Sequence, residues 1–166
     1  MKIIEHTFKG EDKLKRRNKT TEIILHCAAT REGKDYTVND IDRWHRDRGF
    51  TMIGYQFVIY RDGSIHRGRP VSSSGGHCTN HNYCSVGVCY IGGCDKDMKA
   101  KDTRTTEQKI AMIELVHYLC KKYHLSIYNV FCHNQFAKKA CPSFDIKTFR
   151  NEYNAYFASK TDETDN

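Results

Sequence analysis

Apolar residues along this chain come in short unbroken runs and in longer stretches with helical spacing. Ile23-Ile24-Leu25 runs without a polar break, as in a strand buried on both faces near the centre of a sheet. Ile41, Trp44, His45 and Arg48 follow at helical spacing. Thr37-Val38-Asn39-Asp40 opens that helix as a capping box, with Asp in the usual Glu place, and Gly49 ends it. Tyr55 to Tyr60 alternates loosely after Gly54 and leads into Arg61-Asp62-Gly63-Ser64, a hairpin turn, then Ile65-His66-Arg67. Cys84 to Ile91 has the composition of a further strand, stopped by Gly92-Gly93.

Thr105-Thr106-Glu107-Gln108 is a second capping box, opening a long helix with Ile110, Ile113, Val116, Leu119 and Tyr123 on one face. Ser126 to Cys132 is rich in β-branched and aromatic residues and predicts a short buried strand. Asp145 caps a last helix that aligns Ile146, Phe149, Tyr153 and Phe157. The order β-α-β-β-β-α-β-α predicts one α/β domain over residues 1–166, a mixed central sheet flanked by about three helices. Residues 1–21 read as a polar, basic arm with an apolar patch at Ile3-Ile4, and residues 160–166 as a frayed tail. Residues 68–82, rich in Gly, Ser, Asn and His, form a polar loop suited to line a cleft.

Length and charge narrow the picture. A chain of 166 residues buries roughly 70% of its unfolded surface and needs no disulfide staples. The balance of 27 basic to 20 acidic residues gives +7, compatible with nucleic acid, an acidic wall polymer or simple solubility. The only basic cluster is Lys13-Leu14-Lys15-Arg16-Arg17, without a nucleic-acid-binding signature, and a solvated basic surface is the better reading. Residues 1–25 hold no apolar run of signal-peptide length, and no stretch is long enough to span a membrane. The expectation is a monomeric protein made in the cytoplasm, with no nucleic-acid or membrane partner. Eight cysteines are then expected as free thiols. Cys78, Cys84, Cys89 and Cys94 lack C-x-x-C spacing and read as small buried filler.

Chemistry enters at two strand ends. His26 stands where the Ile23–Leu25 run opens into small residues, and His133 stands at the end of the Ser126–Cys132 run. Cys141 follows His133 within a loop and precedes Pro142. Two imidazoles and a thiolate are donors that zinc prefers, and three protein ligands leave one position for water, as in catalytic sites. Strand ends of an α/β sheet are where such groups meet. H-E-x-x-H is absent, which excludes the metalloprotease arrangement with a glutamate base.

Five stretches together resemble the type 2 N-acetylmuramoyl-L-alanine amidases, a family that includes the peptidoglycan recognition proteins. They are "IILHCAAT" around His26, "WHRDRGF" on the first helix, "IGYQFVIYRDGSIHRGRP" from Ile53, "GGHCTNHNYCSVGVCYIGG" from Gly75 and "CHNQFAKKACPSFD" from Cys132. The resemblance runs from about Glu22 to about Phe149. It implies zinc on His26, His133 and Cys141, with Tyr55 and Lys139 as catalytic partners. The implied activity is hydrolysis of the amide between N-acetylmuramic acid and L-alanine in peptidoglycan, for wall lysis or muropeptide turnover. A non-catalytic peptidoglycan-binding module is the alternative, although the usual mark of that state is loss of the thiolate ligand. Cysteines at 84, 89 and 94 depart from the aliphatic or small residues expected there. In an extended segment Lys138 and Lys139 diverge, and Lys139 is the one assigned to the site. The proton acceptor stays open among Tyr55, a water chain and the attacking hydroxide itself.

Overall fold

The structure, a computed structural model, describes residues 1–164. Among these, the regular elements in chain order begin with β1 (Ile3–Ile4), β2 (Glu22–Cys27), β3 (Thr30–Arg31) and α1 (Val38–Asp47). Next come β4 (Phe57–Ile59), β5 (Ile65–Arg67), β6 (Ser85–Tyr90) and β7 (Gly93–Cys94). The chain closes with α2 (Thr106–Tyr123), β8 (Val130–Cys132) and α3 (Ile146–Thr164). The main sheet has six strands in the order β1-β5-β4-β6-β2-β8, and β3 pairs with β7 in a small ribbon. Within the main sheet only β4 and β5 are antiparallel; the other neighbours run parallel. This is the mixed α/β sheet expected from the element order.

Alternation along the strands divides the core into two layers. Ile23, Leu25 and Cys27 of β2, with Val86, Val88 and Tyr90 of β6, pack against Met112, Leu115 and Leu119 of α2 and Phe149 of α3. On the other face, Val58 and Cys89 pack against Val38 and Ile41 of α1, together with Phe8, Met52 and Ile53. His26 pairs in register with Cys89, and so points to the α1 side.

Both capping boxes form, at Thr37 with Asp40 and at Thr105 with Gln108. The long helix departs from its expected stripe at Ile110, which is 40% exposed. Helix α2 packs on the sheet and beside α3, where Tyr153 Oη sits 2.7 Å from His117 Nδ1. The buried arc therefore centres on Met112, Leu115 and Leu119. The strand expected over 126–132 is confined to β8, because residues Ile127–Asn129 form a 3-10 turn. There Ser126 Oγ accepts from the Tyr128 N–H and Asn129 Oδ1 from the Ser126 N–H, local bonds that compete with a ladder.

The basic cluster is not wholly solvated. Arg17 is buried, donating to the carbonyls of Ser73 and Val71, each at 2.7 Å. Arg69 does the same for Ile53 and Ser74, at 2.8 and 2.9 Å. Two buried guanidiniums thus hold the polar 68–82 loop in one shape. The N-terminal arm is tied in by β1, and α3 continues through Thr164; residues 165 and 166 of the expected tail lie outside the described residues. All eight cysteines are free. Cys78, Cys89 and Cys94 are buried, whereas Cys84, expected in the strand, precedes it and is partly exposed.

Candidate active site

The parallel register of two strands brings the site together. Strands β2 and β8 pair Ile23 with Val130 and Leu25 with Cys132. The next residues are His26, still within β2, and His133, which opens a 3-10 turn just past β8; their ring centroids are 4.6 Å apart. The loop after His133 returns Cys141, whose Sγ lies 3.7 Å from His26 Nδ1. Donor atoms of His26, His133 and Cys141 all lie within 4.8 Å of one another. The returning loop is pinned by Tyr90 Oη donating to the Pro142 carbonyl and Ser143 Oγ to the Gly93 carbonyl, both at 2.8 Å. The Cys27 backbone N–H donates to Cys141 Sγ at 3.3 Å, a contact that favours the thiolate.

His77 is the functional side chain that the sequence reading left unassigned inside a polar loop. Its Nδ1 lies 2.8 Å from His26 Nε2, and its Nε2 lies 3.3 Å from Ser85 Oγ. The direction of this chain follows from its last link. Ser85 Oγ sits 2.7 Å from the His81 carbonyl, which can only accept, so the hydroxyl proton is committed there. Ser85 must then accept from His77 Nε2–H, and His77 Nδ1 must accept from His26 Nε2–H. His26 Nδ1 is left without a proton, facing Cys141. Burial pulls the pKa of His77 down to about 3, so the neutral ring this chain requires is the stable one. The ring occupies a slot made by two glycines: a Cβ on Gly75 or Gly87 would come within 2.3 or 2.6 Å of His77 Cδ2. The sequence signal for His77 is its place directly after Gly75-Gly76.

Burial also holds His26 well below the usual histidine range, helped by the repulsion that a second cation would meet beside His77, His133, His45 and Lys139. His133 is lowered by burial and by Lys139. Both are neutral donors near pH 7. The hydrogen bond with Cys27 and then burial push the Cys141 thiol up in the metal-free protein. A dication among these atoms reverses that, because a coordinated thiol is deprotonated.

Tyr55 lies just before β4, its ring centroid 5.0 Å from that of His26. Burial raises its pKa well above the ordinary value, which keeps the hydroxyl a donor. Tyr55, His77, His133 and Lys139 line one cavity of about 200 Å³ with His45, Arg48 and Phe50. Lys138 is exposed and is not part of that lining. His45, next to Trp44 on α1, packs on Phe50 and Tyr55 and accepts the Gly54 N–H at Nδ1, 2.8 Å.

The donor set fits zinc on its chemistry: two neutral imidazoles and one thiol converge, one of them with a bare nitrogen directed at the sulfur. The Cys27 N–H and the His77 hydrogen bond are outer contacts of the kind that orient metal ligands.

A family model described as N-acetylmuramoyl-L-alanine amidase matches residues 16–144. The endolysin of Escherichia phage T7 is 37% identical over 133 residues, covering 80% of this chain and 87% of that protein. Peptidoglycan-recognition protein SC2 of Drosophila melanogaster is 30% identical over 111 residues, covering 66% of this chain and 58% of that protein. Among solved structures, the N-acetylmuramoyl-L-alanine amidase LysC from Clostridium intestinale superposes with a TM-score of 0.80 at 27% identity, covering 93% of this chain and 98% of that one.

Fold, site and these likenesses define a cell-wall hydrolase of the amidase class. The chain belongs to the N-acetylmuramoyl-L-alanine amidase family and carries that family's enzymatic activity.

Proposed function

We propose that this amidase depends on one zinc ion held by His26, His133 and Cys141, and that it acts as a monomeric lytic enzyme. The observation that carries the reading is the convergence of three donors with His26 Nδ1 bare toward Cys141. Bound there, zinc would supply Lewis acidity, making water a nucleophile near neutral pH and polarising the scissile carbonyl. Two neutral imidazoles and one thiolate leave net +1 at a dication, less electrophilic than an all-imidazole centre.

Protein groups supplement that charge. Tyr55, kept protonated by burial, donates to the oxygen that becomes negative at the tetrahedral stage. Lys139, at the cavity wall, offsets the same charge. His77 holds His26 in the tautomer and orientation that leave Nδ1 available. No pair of carboxyl groups lines the cavity, which argues against glycosidic cleavage. Relatives named endolysin come from phages, which supports wall lysis after synthesis in the host cytoplasm. Among the described residues no helix is long and apolar enough to cross a membrane.

The test is mass analysis of purified peptidoglycan after incubation with zinc-loaded protein. Peptides with new L-alanine amino termini, and no new reducing ends, are expected. Chelation is expected to stop their release and added zinc to restore it. New reducing sugar without new amino groups would overturn the reading, and tight binding without cleavage would favour the recognition-module alternative.

A further inference from the structure

A second set of metal-type donors meets at the other end of β2, away from His26. Glu22 Oε2 lies 2.8 Å from His81 Nδ1 and 3.6 Å from Cys84 Sγ. The donor atoms of all three lie within 4.8 Å of one another. None of the three lines the catalytic cavity.

Each donor is carried on held structure. Glu22 opens β2 and pairs in register with Ser85 of β6, the residue directly after Cys84. The His81 ring is stacked on Phe136 at 3.9 Å and 27°, which fixes its plane. Asn82 Oδ1 accepts the N–H groups of His77 and Cys78, at 2.8 and 3.0 Å, and so closes the intervening loop. The group is partly exposed and opens on a hollow of about 500 Å³.

We propose that Glu22, His81 and Cys84 form a second, peripheral metal site that takes zinc or a similar thiophilic dication. A carboxylate and a thiolate balance the dication's charge, a neutral imidazole completes three protein ligands, and the hollow leaves room for a solvent ligand. Binding exchanges the Glu22–His81 hydrogen bond for metal bonds. The Cys84 thiol proton is released to solvent, and the Nδ1 proton that His81 donates to Glu22 is exchanged through solvent for one on Nε2, which frees Nδ1 for the metal. Lys15, Arg16 and Lys19 line the same hollow and repel cations. Magnesium and calcium, which rely on hard oxygen ligands, are therefore excluded, whereas zinc gains the thiolate bond. The metal ties the start of β2 to the loop that carries His77. Through Phe136 it also braces the loop between His133 and Cys141. Its role is structural, not catalytic.

The test is titration of metal-free protein with cobalt(II), read by the near-ultraviolet thiolate-to-cobalt charge-transfer band. Two equivalents are expected in the wild-type protein and one in Cys84→Ser, which keeps its wall-degrading activity once reloaded with zinc. Cys141→Ser is expected to bind one equivalent and to be inactive, so the two sites fail separately. Glu22→Gln, a near-isosteric change, is expected to weaken the second equivalent, and excess magnesium or calcium to leave it in place. A single equivalent in the wild-type protein, or an undiminished second equivalent in Cys84→Ser or Glu22→Gln, would overturn the proposal. In those cases the Glu22–His81 contact is an ordinary hydrogen bond beside a thiol.

Discussion

His77 Nδ1 accepts the Nε2 proton of His26 across 2.8 Å, and this directs the bare Nδ1 of His26 at Cys141. A residue outside the proposed ligand set thereby decides which His26 nitrogen is free to bind a metal. Replacing His77 by Ala is expected to weaken zinc binding about 10- to 100-fold, the usual scale for a lost outer contact. His77→Gln, whose carbonyl can accept the same proton, should recover part of it. Gly87→Ala, which touches no ligand, should act in the same direction by crowding the His77 ring. Competition with a chromophoric chelator measures all three, and an unchanged zinc affinity in His77→Ala would refute the role.

Cys141→Ser should lose tightly held zinc and activity while keeping its circular dichroism spectrum. Cys141 packs only at the margin of the layer formed by Leu25, Val88, Met112 and Leu115, all of which are buried without it. Full zinc occupancy and turnover in this variant would remove Cys141 from the ligand set.

Tyr55→Phe and Lys139→Ala are expected to keep zinc but lower kcat by about 10²-fold, as for other lost oxyanion donors. Both groups meet charge that appears only during reaction, so KM should move little. Lys138→Ala should be silent, because Lys138 lies outside the cavity lining. Steady-state kinetics on a soluble muropeptide would decide, and the reverse pattern for the two lysines would relocate the charge.

Stability of the metal-free protein should fall on mild acidification. Burial lowers His45 to about 4 and His77 to about 3, against about 6.5 in an unfolded chain. Between those values the unfolded chain binds more protons. The stabilisation from each neutral ring is therefore complete above pH ~6.5 and is lost as pH falls toward the folded value. The slope is at most about 1.4 kcal/mol per pH unit for each histidine. Urea midpoints at pH 7 and pH 5 test this, and equal midpoints would contradict it.

Local chemistry was legible in the chain itself. The capping boxes at Thr37 and Thr105 need only residues three apart, so composition and spacing suffice to find them. The same holds for the buried run Ile23–Leu25, and for the order of elements that makes the domain α/β. Donor types at His26, His133 and Cys141 were visible too, but only as three residues spread over more than a hundred positions. Their meeting depends on the β2–β8 register, which no local pattern encodes, since a one-residue slip would separate His26 from His133. His77 and Cys84 illustrate the same limit. One looked like loop and the other like strand filler, until folding set His77 against His26 and Cys84 against Glu22 and His81. Propensity and periodicity act between near neighbours, whereas hydrogen-bond direction and donor convergence arise between residues that only packing makes neighbours.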